Sequence, residues 1–164
     1  MRRRFTPDRF SVSGVLKAMN TILHERQLEE YYCTLCYAFF DFDRRSVTLS
    51  NSGLPYPIRC SAGACSQIEL PGVPLGSFPG VEYDEITLPL QRDDVFVFCS
   101  DGIFEAVNEE NVEFGASRLC DIVHHHRRES ARALVDAIFD AVMSFRGNAQ
   151  QNDDMTAVAV KITS

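Results

Sequence analysis

The hydrophobic pattern of this chain changes period partway along, and that change limits the folds open to it. Between residue 31 and residue 99 the apolar residues come in short β-prone runs broken by Pro, Gly, Asp and Asn. Beyond Asn111 they fall at helical spacing. Ala133, Leu134, Ala137, Ile138, Ala141, Val142 and Phe145 form one stripe of a helix over 130–145, with Ser130 as its cap and Gly147 as its end. Residues 155–162 then return to a strand pattern. Upstream, Val15, Leu16, Met19, Ile22 and Leu23 share one face of a helix that Ser11 or Ser13 can cap and that fades near Gln27. Helix, strands, helices and a last strand predict an α+β layered domain, single over residues 1–164.

Residues 31–40 are aromatic and contain no Gly or Pro, so they read as a buried strand. A turn at 41–45 leads to a paired strand at 47–50, then short strands at 55–60 and 67–70 with a turn at Ser61, Ala62 and Gly63. Residues 71–76 are too rich in Pro and Gly for regular structure. Strands at 83–90 and 95–99 complete what reads as an antiparallel meander. A loop entering a helix is expected over 111–125.

The formal net charge of −7 argues against general nucleic-acid binding, which needs a basic face. No run approaches the ~20 apolar residues of a membrane span, and the basic start is followed by Thr6-Pro7-Asp8-Arg9 rather than an apolar segment. A cytoplasmic chain is expected. Six cysteines raise the question of zinc, through Cys33-(x2)-Cys36 and Cys60-(x4)-Cys65. Cys33 and Cys36 lie three apart in a strand and so point to opposite faces, whereas zinc ligands must converge. Free thiols are therefore expected, and structural disulfides are disfavoured by the cytoplasmic reading. None of the six is followed by Arg at the sixth position, so a cysteine-phosphatase loop is absent. The run of His124, His125 and His126 reads as a polar helix end, because neighbours on a helix point ~100° apart.

Two acidic spots stand out by their setting. At Cys99-Ser100-Asp101-Gly102 an apolar strand ends in Asp-Gly, and at Asn152-Asp153-Asp154-Met155-Thr156 paired carboxylates precede another strand. Asp-Gly is also a common turn, and Asp-Asp is often plain solvated loop. Were the two strands neighbours, however, Asp101 and Asp153 would meet at one sheet edge, as hard oxygen donors suited to Mg²⁺ or Mn²⁺.

At these spots the chain resembles the stage II sporulation protein E-type phosphatases, a bacterial branch of the protein phosphatase 2C-like (PPM) enzymes. Leu16-(x2)-Met19-Asn20, Asn51-Ser52-Gly53-(x)-Pro55, Pro74-Leu75-Gly76, Ser100-Asp101-Gly102-(x2)-Glu105-Ala106 and Asp153-Asp154-Met155-Thr156 carry the resemblance, from about Gly14 to Ile162. It implies an α-β-β-α sandwich of antiparallel sheets flanked by helices. It also implies a site for two Mn²⁺ or Mg²⁺ ions, with Asp101 and Asp153 as metal ligands and catalytic residues and Gly102 and Asp154 supporting them. The activity implied is hydrolysis of phosphoserine or phosphothreonine on a partner protein such as an anti-sigma-factor antagonist. Sensor or receiver modules are expected upstream. The family's earlier acidic block, an Asp followed shortly by Gly-x-Gly, has no match in residues 1–10, and Leu54 stands where the family often has His. The chain therefore reads as an N-terminally truncated domain with a partial ligand set: a fragment, a mis-started frame or a degenerate paralogue. Weak or absent turnover and self-association through an open sheet edge are expected, with a non-catalytic binding module as the alternative function.

Overall fold

A computed structural model describes residues 11–25 and 32–163, which form two compact units. The first comprises the chain up to Leu54 together with Leu70–Pro89. Its helix α1 (Val12–Glu25) forms where the apolar spacing predicts a helix, but the buried face runs through Val12, Leu16 and Asn20. Of the expected stripe Leu16 is buried, Val15 and Leu23 are half-buried, and Met19 and Ile22 are exposed. The predicted last turn near Gln27 lies outside the described residues. Strands β1 (Leu35–Asp41) and β2 (Ser46–Ser52) form an antiparallel hairpin whose register runs from Leu35 opposite Ser52 to Asp41 opposite Ser46. Asp41 Oδ1 accepts from the Arg44 amide at 2.9 Å and closes the connecting turn. Alternation along β2 sends Val47 and Leu49 inward, both fully buried.

The second unit, Pro55–Glu69 with Leu90–Ser164, contains the rest of the regular structure but for one strand. Strands β3 (Ile58–Ser61) and β4 (Ala64–Gln67) are joined by Ala62 and Gly63, at φ 49° and 84°. Two positive φ values in a two-residue loop are what a tight hairpin with native twist needs. Strand β5 (Glu85–Pro89) belongs to the first unit and pairs with β2. Strand β6 (Val95–Cys99) lies between β3 and the last strand, β7 (Ala157–Lys161). The sheet orders are thus β1-β2-β5 and β4-β3-β6-β7, not the meander read from the sequence. The β3–β4 hairpin leaves the first sheet for the second, and β5 returns to β2.

Three helices complete the second unit: α2 (Asp101–Phe104), α3 (Gly115–His126) and α4 (Ala131–Arg146). Ser130 caps α4, its hydroxyl accepting from the Ala133 amide at 3.1 Å, and Gly147 ends it. Leu134, Ile138 and Val142 on α4 and Leu119 and Val123 on α3 are fully buried with Ile58, Val95 and Val97 of the sheet. At the start of β6, Asp94 is buried and accepts from Arg59 Nη2 at 2.7 Å and from the Gln91 amide at 3.0 Å. This pair joins the base of β6 to β3.

Three expectations need correction. The aromatic strand is only partly buried, with Phe39 42% exposed, because β1 is an edge of its sheet among the described residues. The return strand after Gly63 starts at Ala64 rather than Gln67, since the tight turn needs only two residues. Cys60 and Cys65 are not free thiols: they face each other across β3 and β4 and form a disulfide. Cys33, Cys36, Cys99 and Cys120 are free. Among the described residues no helix is long and apolar enough to cross a membrane.

Candidate metal centre

Within the second unit, β6 and β7 are antiparallel neighbours in a register that sets Cys99 opposite Ala157. The C-terminal end of one strand therefore lies beside the N-terminal end of the other. That places Ser100, Asp101 and Gly102 next to the 153–156 loop, the juxtaposition on which the sequence reading depended.

Ser100 clasps the two loops together. Its amide donates to the Thr156 carbonyl at 3.0 Å, its hydroxyl donates to the Asp154 carbonyl at 3.0 Å, and the same hydroxyl accepts from the Thr156 amide at 2.9 Å. Gly102 closes the contact from the other side. A β-carbon at this position would sit 2.4 Å from the Asp154 carbonyl oxygen and 3.2 Å from that of Asp153. The need for Gly here is close approach of two backbones.

Asp101 opens the four-residue helix α2, and both Asp101 and Asp153 are exposed. Asp101 Oδ1 accepts from the Gly102 amide at 3.0 Å, and Asp153 Oδ1 accepts from the Asp154 amide at 2.6 Å. Each carboxylate keeps its Oδ2 without a hydrogen-bond partner among the described residues. This donor set, two hard oxygens on anchored loops, fits part of the coordination shell of Mg²⁺ or Mn²⁺. Among the described residues no group of three His, Cys, Asp or Glu donors closes around Asp101 and Asp153. Asp154 enters the arrangement through its backbone, which receives Ser100 and abuts Gly102.

Two residues at this end were not singled out from sequence. In sequence Ser100 is only one member of a motif, and its bonding depends on a pairing that no local pattern reveals. Arg146, at the end of α4, is buried and borders a small cavity of about 60 Å³ that Gly102, Glu105, Asn152 and Asp153 also line. Its Nη2 donates to the Ala149 carbonyl at 2.7 Å, which folds the chain back towards the 150–153 loop. Cys99, just before the site, is buried, and burial pushes its thiol up to about 12, so it is protonated at neutral pH.

The sequence model of the family described as "Stage II sporulation protein E (SpoIIE)" matches residues 1–163. The chain is 24% identical over 151 residues to phosphoserine phosphatase RsbU of Bacillus subtilis, covering 91% of this chain and 44% of that protein. It thus spans less than half the length of that relative. Among solved structures it is similar to the SiaA-PP2C domain of Pseudomonas aeruginosa, with TM-score 0.80, 18% identity and coverage of 92% of this chain and 60% of the other. It is also similar to the manganese-presoaked phosphatase domain of SpoIIE from Bacillus subtilis, with TM-score 0.72, 20% identity and coverage of 99% and 77%. These likenesses show the protein phosphatase 2C-like α+β fold class expected from the sequence. With a family match across nearly its whole length, the chain belongs to the stage II sporulation protein E (SpoIIE) family.

Proposed function

We propose that this chain is a metal-dependent protein serine/threonine phosphatase domain of a bacterial signalling regulator, with Asp101 and Asp153 holding Mn²⁺ or Mg²⁺. The observation that carries the reading is the contact of Gly102 with the Asp153–Asp154 backbone, which sets two acidic loops side by side at the ends of β6 and β7. A phosphoserine or phosphothreonine on a partner protein is the substrate class, which the likeness to a phosphoserine phosphatase supports, and an anti-sigma-factor antagonist is the kind of partner proposed. When bound, such ions lower the pKa of water and offset the charge on phosphoryl oxygens. The work of the chain is to hold the ions. Asp101 and Asp153 supply anionic oxygens, and the backbone amides of Gly102 and Asp154 fix the orientation of each carboxylate. Ser100 and the absent side chain of Gly102 keep the loops in register. Sensor or receiver modules in the same protein would supply the signal.

The donor set favours a second reading. With two carboxylates and no third ligand among the described residues, the domain can act as a non-catalytic module that docks a regulator. Hydrolysis of an aryl phosphate and of a phosphoserine peptide, with and without Mn²⁺, separates the two. Slow Mn²⁺-dependent turnover that falls to background in Asp101→Asn and Asp153→Asn supports the enzyme. No turnover in any form, with partner binding intact in both variants, supports the module. Turnover that needs no metal, or that survives both substitutions, contradicts the metal-centred account.

A further inference from the structure

Cys60 and Cys65 are directly opposed residues of the β3–β4 hairpin, with Cα atoms 4.0 Å apart. Helix α3 packs on both strands, and its residue His124 reaches the same place. One ring nitrogen of His124 and the two sulfurs lie within 4.8 Å of one another, which makes this the one three-donor group of His, Cys, Asp or Glu among the described residues. Cys60 is buried, and Cys65 and His124 are half-buried. Three independent constraints aim the donors inward: the turn at Ala62–Gly63 sets the register, the pleat puts both sulfurs on one face, and α3 crosses that face.

We infer that, when the disulfide is reduced, Cys60, Cys65 and His124 form a binding site for a soft divalent cation, Zn²⁺ by preference, with the fourth position open. The chemistry of the donors selects the ion: two thiolates and an imidazole suit Zn²⁺, whereas the carboxylates at Asp101 and Asp153 suit Mg²⁺ or Mn²⁺. Tetrahedral zinc places neighbouring ligand atoms about 3.6–3.8 Å apart, given bond lengths of about 2.3 Å to sulfur and about 2.0–2.1 Å to nitrogen. The imidazole nitrogen already lies within 4.8 Å of both sulfurs, and on reduction the sulfurs, bonded to one another here, must move apart to about 3.8 Å by side-chain rotation to reach that geometry. His124 supplies a single nitrogen, so the objection to three consecutive His on one ion does not apply. Cys60 also borders an open depression of about 680 Å³ lined by Arg92, Arg127, Arg128 and Lys161. The depression gives solvent or a small ligand a route to the open position.

The states exclude one another. Two molecules of a small thiol reduce the disulfide to two cysteine thiols and are themselves joined as a disulfide. Zn²⁺ then displaces the two thiol protons to solvent and accepts an electron pair from each sulfur and from the imidazole.

The test is Zn²⁺ competition against a chromophoric chelator. It uses the full chain, reduced with a phosphine, desalted under argon and checked for fold by circular dichroism. One Zn²⁺ per chain is expected, with two cysteines protected from a thiol reagent and no binding by the oxidised protein. Cys65→Ser and His124→Ala, both at half-buried positions, should each weaken binding about tenfold or more. The Asp101→Asn/Asp153→Asn double variant should bind as the parent does, which separates this site from the acidic loops. Failure of the reduced chain to bind Zn²⁺, or binding unchanged in Cys65→Ser or His124→Ala, overturns the assignment.

Discussion

Gly102 lies so close to Asp154 that a β-carbon at residue 102 would stand 2.4 Å from the Asp154 carbonyl oxygen. The neighbour is backbone, which cannot rotate away. Gly102→Ala must therefore push the Asp101 and Asp153 loops apart. It should cost about 1–3 kcal/mol in urea unfolding, the usual range for overpacking, and should weaken Mn²⁺ binding. A variant with parental stability and parental Mn²⁺ affinity would show that the contact is not needed.

The buried carboxylate of Asp94 ties β6 to β3. Its Oδ2 serves both the Arg59 guanidinium and the Gln91 amide at the base of β6. Asp94→Ala leaves Arg59 without this partner, and removing one member of a buried pair costs about 3–5 kcal/mol. Chemical denaturation measures the loss. A change near zero would mean that Arg59 finds another partner at no cost.

A pH dependence follows from Glu85. The Ser13 amide donates to its Oε2 at 2.9 Å and the Ser11 hydroxyl at 3.1 Å. The backbone bond from Ser13, outweighing some desolvation, holds the Glu85 carboxyl below its ordinary range. A lowered folded pKa contributes stability that is present above the unfolded value, about 4.3, and is lost as pH falls through the folded one. Urea unfolding of the parent should weaken over that acid window, and Glu85→Gln should flatten this part of the profile. An unchanged slope in the variant would assign the acid limb to other groups.

The sequence was most legible where structure is local. Val95–Cys99 was read to the residue, since a continuous apolar run suits an inner strand buried on both faces. Ser130 and Gly147 marked α4 correctly because caps are local chemistry. The motif pieces in the first unit also have visible causes: Asn20 bonds the Phe78 carbonyl and the Gly76 amide, and Asn51 bonds the Leu54 and Leu70 carbonyls. What was not legible is non-local. Helix α2 is four residues long, too short for any period to show. The split of the strands into two sheets, the edge position of β1 and the Cys60–Cys65 pairing all depend on which strand lies beside which. The proximity of the two acidic loops was conditional on the same information, and the β6–β7 pairing supplies it.

Mn²⁺ binding to the intact chain, compared among the parent, Asp101→Asn and Asp153→Asn by calorimetry or water-proton relaxation, tests the central claim most directly. Two carboxylates acting as metal ligands require weak binding by the parent and none in either variant, with the fold unchanged by circular dichroism. Equal binding in all three, or no binding by the parent at millimolar Mn²⁺ (about the weak limit for oxygen-ligand sites), would contradict it.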